Sequence, residues 1–145
     1  MLVSRKIEID MGHRVPNHKS KCKNFHGHRY VIEAGVDDKV ITTKGVSDEG
    51  MVIDFGDLKE VLVNVIDERF DHGFVMYNED EFVMEFDAFC RSGQKIIFVP
   101  FIPTVENLAK HWYELIKLRL EEKNIKIKYL KVWETPNSFA VYEED

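Results

Sequence analysis

No apolar run in the 145 residues approaches the roughly 20 consecutive positions that a membrane-spanning helix needs. That absence excludes a helical membrane protein. The N-terminus also lacks an apolar core followed by a small-residue cleavage point, because Arg5 and Lys6 interrupt it, so secretion is not expected. Cysteine is scarce as well: two residues make no disulfide framework, and free thiols in a reducing cytoplasm are the expectation. A basic surplus is missing, since the formal net charge is -6, which argues against nucleic acid as the main partner. Repeats at solenoid periods are absent too. What remains is ordinary globular composition, 44% hydrophobic and 12% aromatic, at a length that suits one domain with its own core. Residues 1–145 are therefore read as one domain.

Against this acidic background one stretch has the opposite character. His13 to Tyr30 holds four of the six histidines and one of the two cysteines. It also carries Arg14, Lys19, Lys21, Lys23 and Arg29 with no acid, a local charge of +5 that leaves -11 for the rest. An anionic ligand is expected there.

Two strands frame this stretch. From Arg5, residues Ile7, Ile9, Met11 and His13 fall on one side of a period-two pattern. From His26 to Val36, the residues His26, His28, Tyr30, Ile32 and Ala34 do the same. The polar segment from Asp37 to Gly50 suits a hairpin connection, and Met51 to Ile53 reads as a short strand resuming the sheet. Asp54 then caps a helix whose stripe is Leu58, Val61, Leu62, Val65 and Ile66, with Gly73 as its left-handed stop. Residues 74 to 102 show little pattern beyond an acidic patch and the apolar run Ile96 to Val99. Thr104 caps a second helix, with Glu106 in its first turn and a stripe from Val105 to Leu120. Two strands end the chain, Ile125 to Glu134 and Ser138 to Tyr142. In the first of these Ile127, Tyr129 and Trp133 share one face and Leu130, Val132 and Glu134 the other. The order implies an α+β fold, an antiparallel sheet backed by two helices.

A pair of histidines one residue apart on a strand presents two nitrogens to one point, and His26-Gly27-His28 is such a pair. His13, ending the neighbouring strand, can supply a third. Three histidines leave one position of a tetrahedral zinc open, the catalytic arrangement, although a plain reading has His13 in the core and the other two merely starting a strand. Cys22 is either a fourth ligand that closes the site or a base or nucleophile beside it, its thiolate favoured by Lys21 and Lys23. Asp71-His72 is an acid and imidazole pair able to move a proton. Glu134 is either a surface carboxylate or an acceptor for two N–H donors of an amidine-like edge. Cys90 reads as a packing residue, and His18 and His111 as surface residues.

Taken in order, His13, then Cys22-Lys23-Asn24-Phe25-His26-Gly27-His28, then Asp71-His72, then Pro103-Thr104-Val105-Glu106-Asn107, then Trp133-Glu134-Thr135, resemble the family of 6-pyruvoyltetrahydropterin and 6-carboxytetrahydropterin synthases. The resemblance spans nearly the whole chain. It implies a tunnelling fold, a four-stranded antiparallel sheet with two helices on one face, assembled through its sheets into trimers and then a homohexamer. It implies zinc on His13, His26 and His28, Cys22 as the catalytic base, and Asp71 with His72 as a proton relay from a neighbouring subunit. Glu134 would anchor the pterin ring of dihydroneopterin triphosphate, with Thr104 and Glu106 lining its pocket. The three-residue interval between Cys22 and His26 is similar to the branch that forms 6-carboxytetrahydropterin on the route to queuosine and other 7-deazaguanines; the animal enzymes that form 6-pyruvoyltetrahydropterin have a longer one. A zinc hydrolase and a structural zinc module closed by Cys22 are the readings from other classes. The residues before His13 and the long segment from Asn78 to Pro100 depart from the family pattern.

Overall fold

The computed structural model describes every residue from Met1 to Asp145. Alternation of apolar and polar residues builds the two longest strands, β1 (Leu2–His13) and β2 (His26–Asp37). They pair antiparallel along their full length, with His13 opposite His26 and Met11 opposite His28. The other elements are α1 (Phe55–Leu62), α2 (Glu68–Phe70), β3 (Phe74–Tyr77), α3 (Val83–Arg91), β4 (Ile96–Val99), α4 (Val105–Glu121), β5 (Ile127–Thr135) and β6 (Ser138–Tyr142). A π-helical stretch, Val63–Asp67, joins α1 to α2 in one rod. The sheet order is β4-β3-β1-β2-β5-β6.

The four expected antiparallel strands are present as β1, β2, β5 and β6, but the sheet has six. The two additions, β3 and β4, are parallel to β1 and to each other and have four residues each, too short to display a period. A third helix, α3, also lies in the segment with no readable pattern; only Phe86 on it is buried. Met51 to Ile53 is not a sheet strand. It closes a loop instead, with Ile41 N–H donating to the Met51 carbonyl at 2.8 Å.

The helices start where the caps predict: Asp54 accepts from the Gly56 N–H at 2.7 Å and Thr104 Oγ1 from the Asn107 N–H at 3.4 Å. The rod ends differently. The left-handed residue is His72, with φ 58°, and not Gly73. One core of 26 buried residues lies between the sheet and the helices, with Ile9, Tyr30 and Ile32 facing Leu62, Trp112 and Ile116. In β5 a register shift near Gly35 puts Ile127 on the same buried side as Leu130 and Val132, while Tyr129 and Trp133 face outward. Strict alternation failed there because a bulge inserts one residue. No helix is long and apolar enough to cross a membrane.

Candidate functional site

The β1–β2 register brings the end of one apolar face to the start of the other, and three imidazoles meet there. Ligating nitrogens of His13, His26 and His28 all lie within 4.8 Å of one another. The β1 backbone leaves no room for a side chain between His26 and His28, and a glycine separates them: a Cβ on Gly27 would come 2.9 Å from the Met11 carbonyl.

Two of the rings are aimed from behind. His13 is 1% exposed, and its Nδ1 lies 2.7 Å from the Pro103 carbonyl. His26 Nδ1 lies 2.7 Å from the Asn24 carbonyl. A carbonyl can only accept, so both rings carry their proton on Nδ1 and turn a bare Nε2 inward. Those two nitrogens stand 3.1 Å apart. Two ligands at zinc distances of about 2.0–2.1 Å in a tetrahedron would stand about 3.3 Å apart, so this pair fits the ion, and His28 is near enough to join it. Burial, aided by His26 and His28, pushes the His13 imidazole down to about 4. Burial also lowers His28. Both effects favour the neutral rings that a metal requires.

Glu134 completes this end of the sheet. Its Oε1 lies 3.5 Å from His13 Nε2 and 3.7 Å from His28 Nε2. Burial first, and the Glu106 carboxylate second, raise its pKa, so Glu106 is close enough to be felt. Thr104 follows the Pro103 that holds His13, but its hydroxyl caps α4. Beside Glu134 a cavity of about 560 Å³ opens on the outer face of the sheet, lined by Lys6, His28, Arg29 and Trp133 among others. That volume suits a small organic ligand.

Two sequence-predicted groups stand outside the cluster. Cys22 lies half-buried in a single 3₁₀ turn, Lys21–Lys23, and is not among the clustered ligands. Asp71 and His72 pair with each other at 2.7 Å, and Asp71 accepts from the Asp10 N–H at 2.9 Å. Burial pushes the Asp71 carboxyl up, but these two bonds outweigh it and the net shift is downward. His72 is exposed and lines a second open cavity, of about 490 Å³, which His28 also lines.

Other assignments need correction. Arg14 is buried and paired with Asp80, and Arg29 is paired with Asp10, so the free cations of the basic stretch are Lys19, Lys21 and Lys23. Cys90 is exposed rather than packed. His111 is half-buried between Phe70 and Phe101. Sequence reasoning also missed Tyr30, whose buried hydroxyl lies 3.3 Å from His13 Nδ1. Its place on the apolar face two residues after His28 was the available signal.

The family model described as 6-pyruvoyl tetrahydropterin synthase matches residues 2–145. A 6-carboxy-5,6,7,8-tetrahydropterin synthase of Rickettsia felis is 39% identical over 138 residues, covering 94% of this chain and 96% of the relative. The protein of the same name from Haemophilus influenzae is 31% identical and covers 98% of each chain. Among solved structures, an uncharacterized protein from Wolinella succinogenes superposes with a TM-score of 0.81 at 20% identity, covering 100% of this chain and 98% of the other. The 6-pyruvoyl tetrahydropterin synthase of Caenorhabditis elegans gives 0.70 at 23% identity, with 100% and 96% covered. These two likenesses show the fold.

Proposed function

The chain belongs to the 6-pyruvoyl tetrahydropterin synthase family, and from that premise we propose that it is a zinc-dependent lyase. Its reaction converts 7,8-dihydroneopterin triphosphate and water to 6-carboxy-5,6,7,8-tetrahydropterin, acetaldehyde and triphosphate. The observation that carries this reading is the three-histidine cluster with the Glu134 carboxylate beside it and the cavity that His28 and Glu134 line. The carboxy product is favoured over the pyruvoyl one by the short Cys22 to His26 interval, and the names of the relatives over 30% identical point the same way.

His13, His26 and His28 would hold the zinc, which when bound supplies Lewis-acid activation of the hydroxyls on the substrate's side chain. The chain's own groups do the rest. Glu134 accepts the paired N–H donors of the pterin's amidine-like edge; those donors favour the ionised carboxylate that burial otherwise disfavours. Cys22 takes a proton from the side-chain carbon, and His72, oriented by Asp71, returns one. Lys19, Lys21 and Lys23 hold the triphosphate. Thr104 and Glu106, at the start of α4, would line the pterin pocket, a role supported for Glu106 by its electrostatic effect on Glu134.

Within one chain the side chains of Asp71 and His72 hydrogen-bond only each other and the Asp10 N–H, and His72 projects outward. This supports a relay that serves a neighbouring copy; on this reading one-domain subunits assemble into a cytoplasmic homohexamer. Incubating zinc-loaded protein with dihydroneopterin triphosphate and identifying products by mass tests the function. Acetaldehyde with carboxytetrahydropterin is expected; finding neither these nor pyruvoyltetrahydropterin overturns it.

A further inference from the structure

Arg14 follows a cluster histidine, yet it points away from the cluster and into the protein. Its side chain is 4% exposed, and its Nε lies 3.2 Å from Oδ2 of Asp80, whose side chain is 0% exposed. The contact is at ion-pair distance without the alignment of a hydrogen bond. Glu81 adds a second carboxylate at 3.4 Å. The guanidinium lies over Phe82 at 4.7 Å and near Phe25 at 5.8 Å. Phe25 in turn meets Phe82 and Phe86 at 5.6 and 5.4 Å. With two carboxylates and two rings around it, Arg14 has no face left for a phosphate.

Both ends of this arrangement lead somewhere specific. Asp80 spends its other oxygen on the Phe82 N–H at 2.9 Å, which starts the turn into α3. On the other side, Val15, next to Arg14, donates its N–H to the Cys22 carbonyl at 2.8 Å. Phe25 is bonded directly to His26. The segment from Asn78 to Pro100, which departs from the family pattern, is thereby connected to the loop that carries Cys22.

We propose that the Arg14–Asp80 pair, seated on Phe25 and Phe82, is a positioning device that fixes the Cys22 loop against the histidine cluster. The assignment rests on the role given to Cys22 above. A buried ion pair is a poor source of stability, because desolvation offsets most of its attraction, and apolar pairs often replace one with no loss of folding. The best-attested role of a buried polar pair is instead to set the register between two elements, and that is the role assigned to this one.

That difference makes the test. In a Cys90→Ser background, where Cys22 is the sole thiol, Asp80→Asn and the double variant Arg14→Met/Asp80→Leu are compared with the parent. Melting temperature, the iodoacetamide alkylation rate of the metal-free protein, kcat and KM are measured. The double variant should melt close to the parent while Cys22 is alkylated about tenfold faster and kcat falls about tenfold or more, with KM within about twofold. Asp80→Asn, measured below its own melting temperature, should show the same alkylation and kcat changes even if the double variant folds poorly. An unchanged alkylation rate overturns the proposal whatever happens to turnover. So does a raised KM with unchanged kcat, the result expected if Arg14 held phosphate. Alkylation involves no pterin, so it remains informative if the substrate is wrong.

Discussion

The histidine cluster and the Asp71–His72 pair are built in opposite ways. His13 is 1% exposed and held from behind by the Pro103 carbonyl, and its partners come from the same two strands. The His72 side chain is 78% exposed, and its backbone is held in the left-handed region at φ 58°, unusual for a residue with a side chain. The cluster gets its order from burial, the pair from its backbone. Besides the Asp10 bonds, Lys95 Nζ donates to the Asp71 carbonyl at 2.6 Å and the Glu68 carbonyl at 3.0 Å. A buried group finished inside one chain can preform a metal site. A rigid group that faces outward is suited to acting on what another surface brings to it.

This contrast can be broken at either side. The largest effect is expected from His26→Ala, which removes an inward nitrogen: bound zinc measured by mass spectrometry should fall below one per chain and turnover should drop about a thousandfold or more. Cys22→Ala should keep its zinc and lose turnover by roughly 10²–10⁴. Zinc lost with stability would instead mark a closed structural site, and retained turnover of dihydroneopterin triphosphate would overturn Cys22 as the base. His72→Asn should leave zinc and melting temperature near the parent values and lower kcat about a hundredfold, showing that the exposed pair is chemical and not structural. Glu134→Ala should mainly raise KM, by about ten- to a hundredfold, as expected for a lost hydrogen-bonded carboxylate. Smallest is Tyr30→Phe, which sharpens the boundary of the cluster: zinc affinity in competition with a chelator should weaken about tenfold with little change in turnover at saturating zinc.

The buried side of the contrast was the more legible one. Period-two alternation placed His13, His26 and His28 on one face, and the observed register joins them. Helix caps at Asp54 and Thr104 were readable because they are local chemistry. Long-range partners were not. Asp80 and Arg14 are far apart in sequence, and nothing near either residue signals the other. The strands β3 and β4 are held by main-chain pairing with neighbours, which no side-chain pattern encodes over four residues. The left-handed residue was misplaced by one, onto glycine, because the general preference for glycine outweighs what a special site imposes. On β5, the bulge reassigned Ile127 to the buried side for the same reason: a tertiary detail overrode a local rule.

Whether the two groups serve one site from two chains can be measured by mixing. His26→Ala and His72→Asn chains, each nearly inactive alone, are denatured together, refolded with zinc and assayed with dihydroneopterin triphosphate. If one chain supplies the metal half and its neighbour the relay, random mixing rebuilds complete sites at roughly a quarter of positions, and activity should recover to about that fraction of wild type. Activity no higher than the sum of the two separate variants would contradict the shared site.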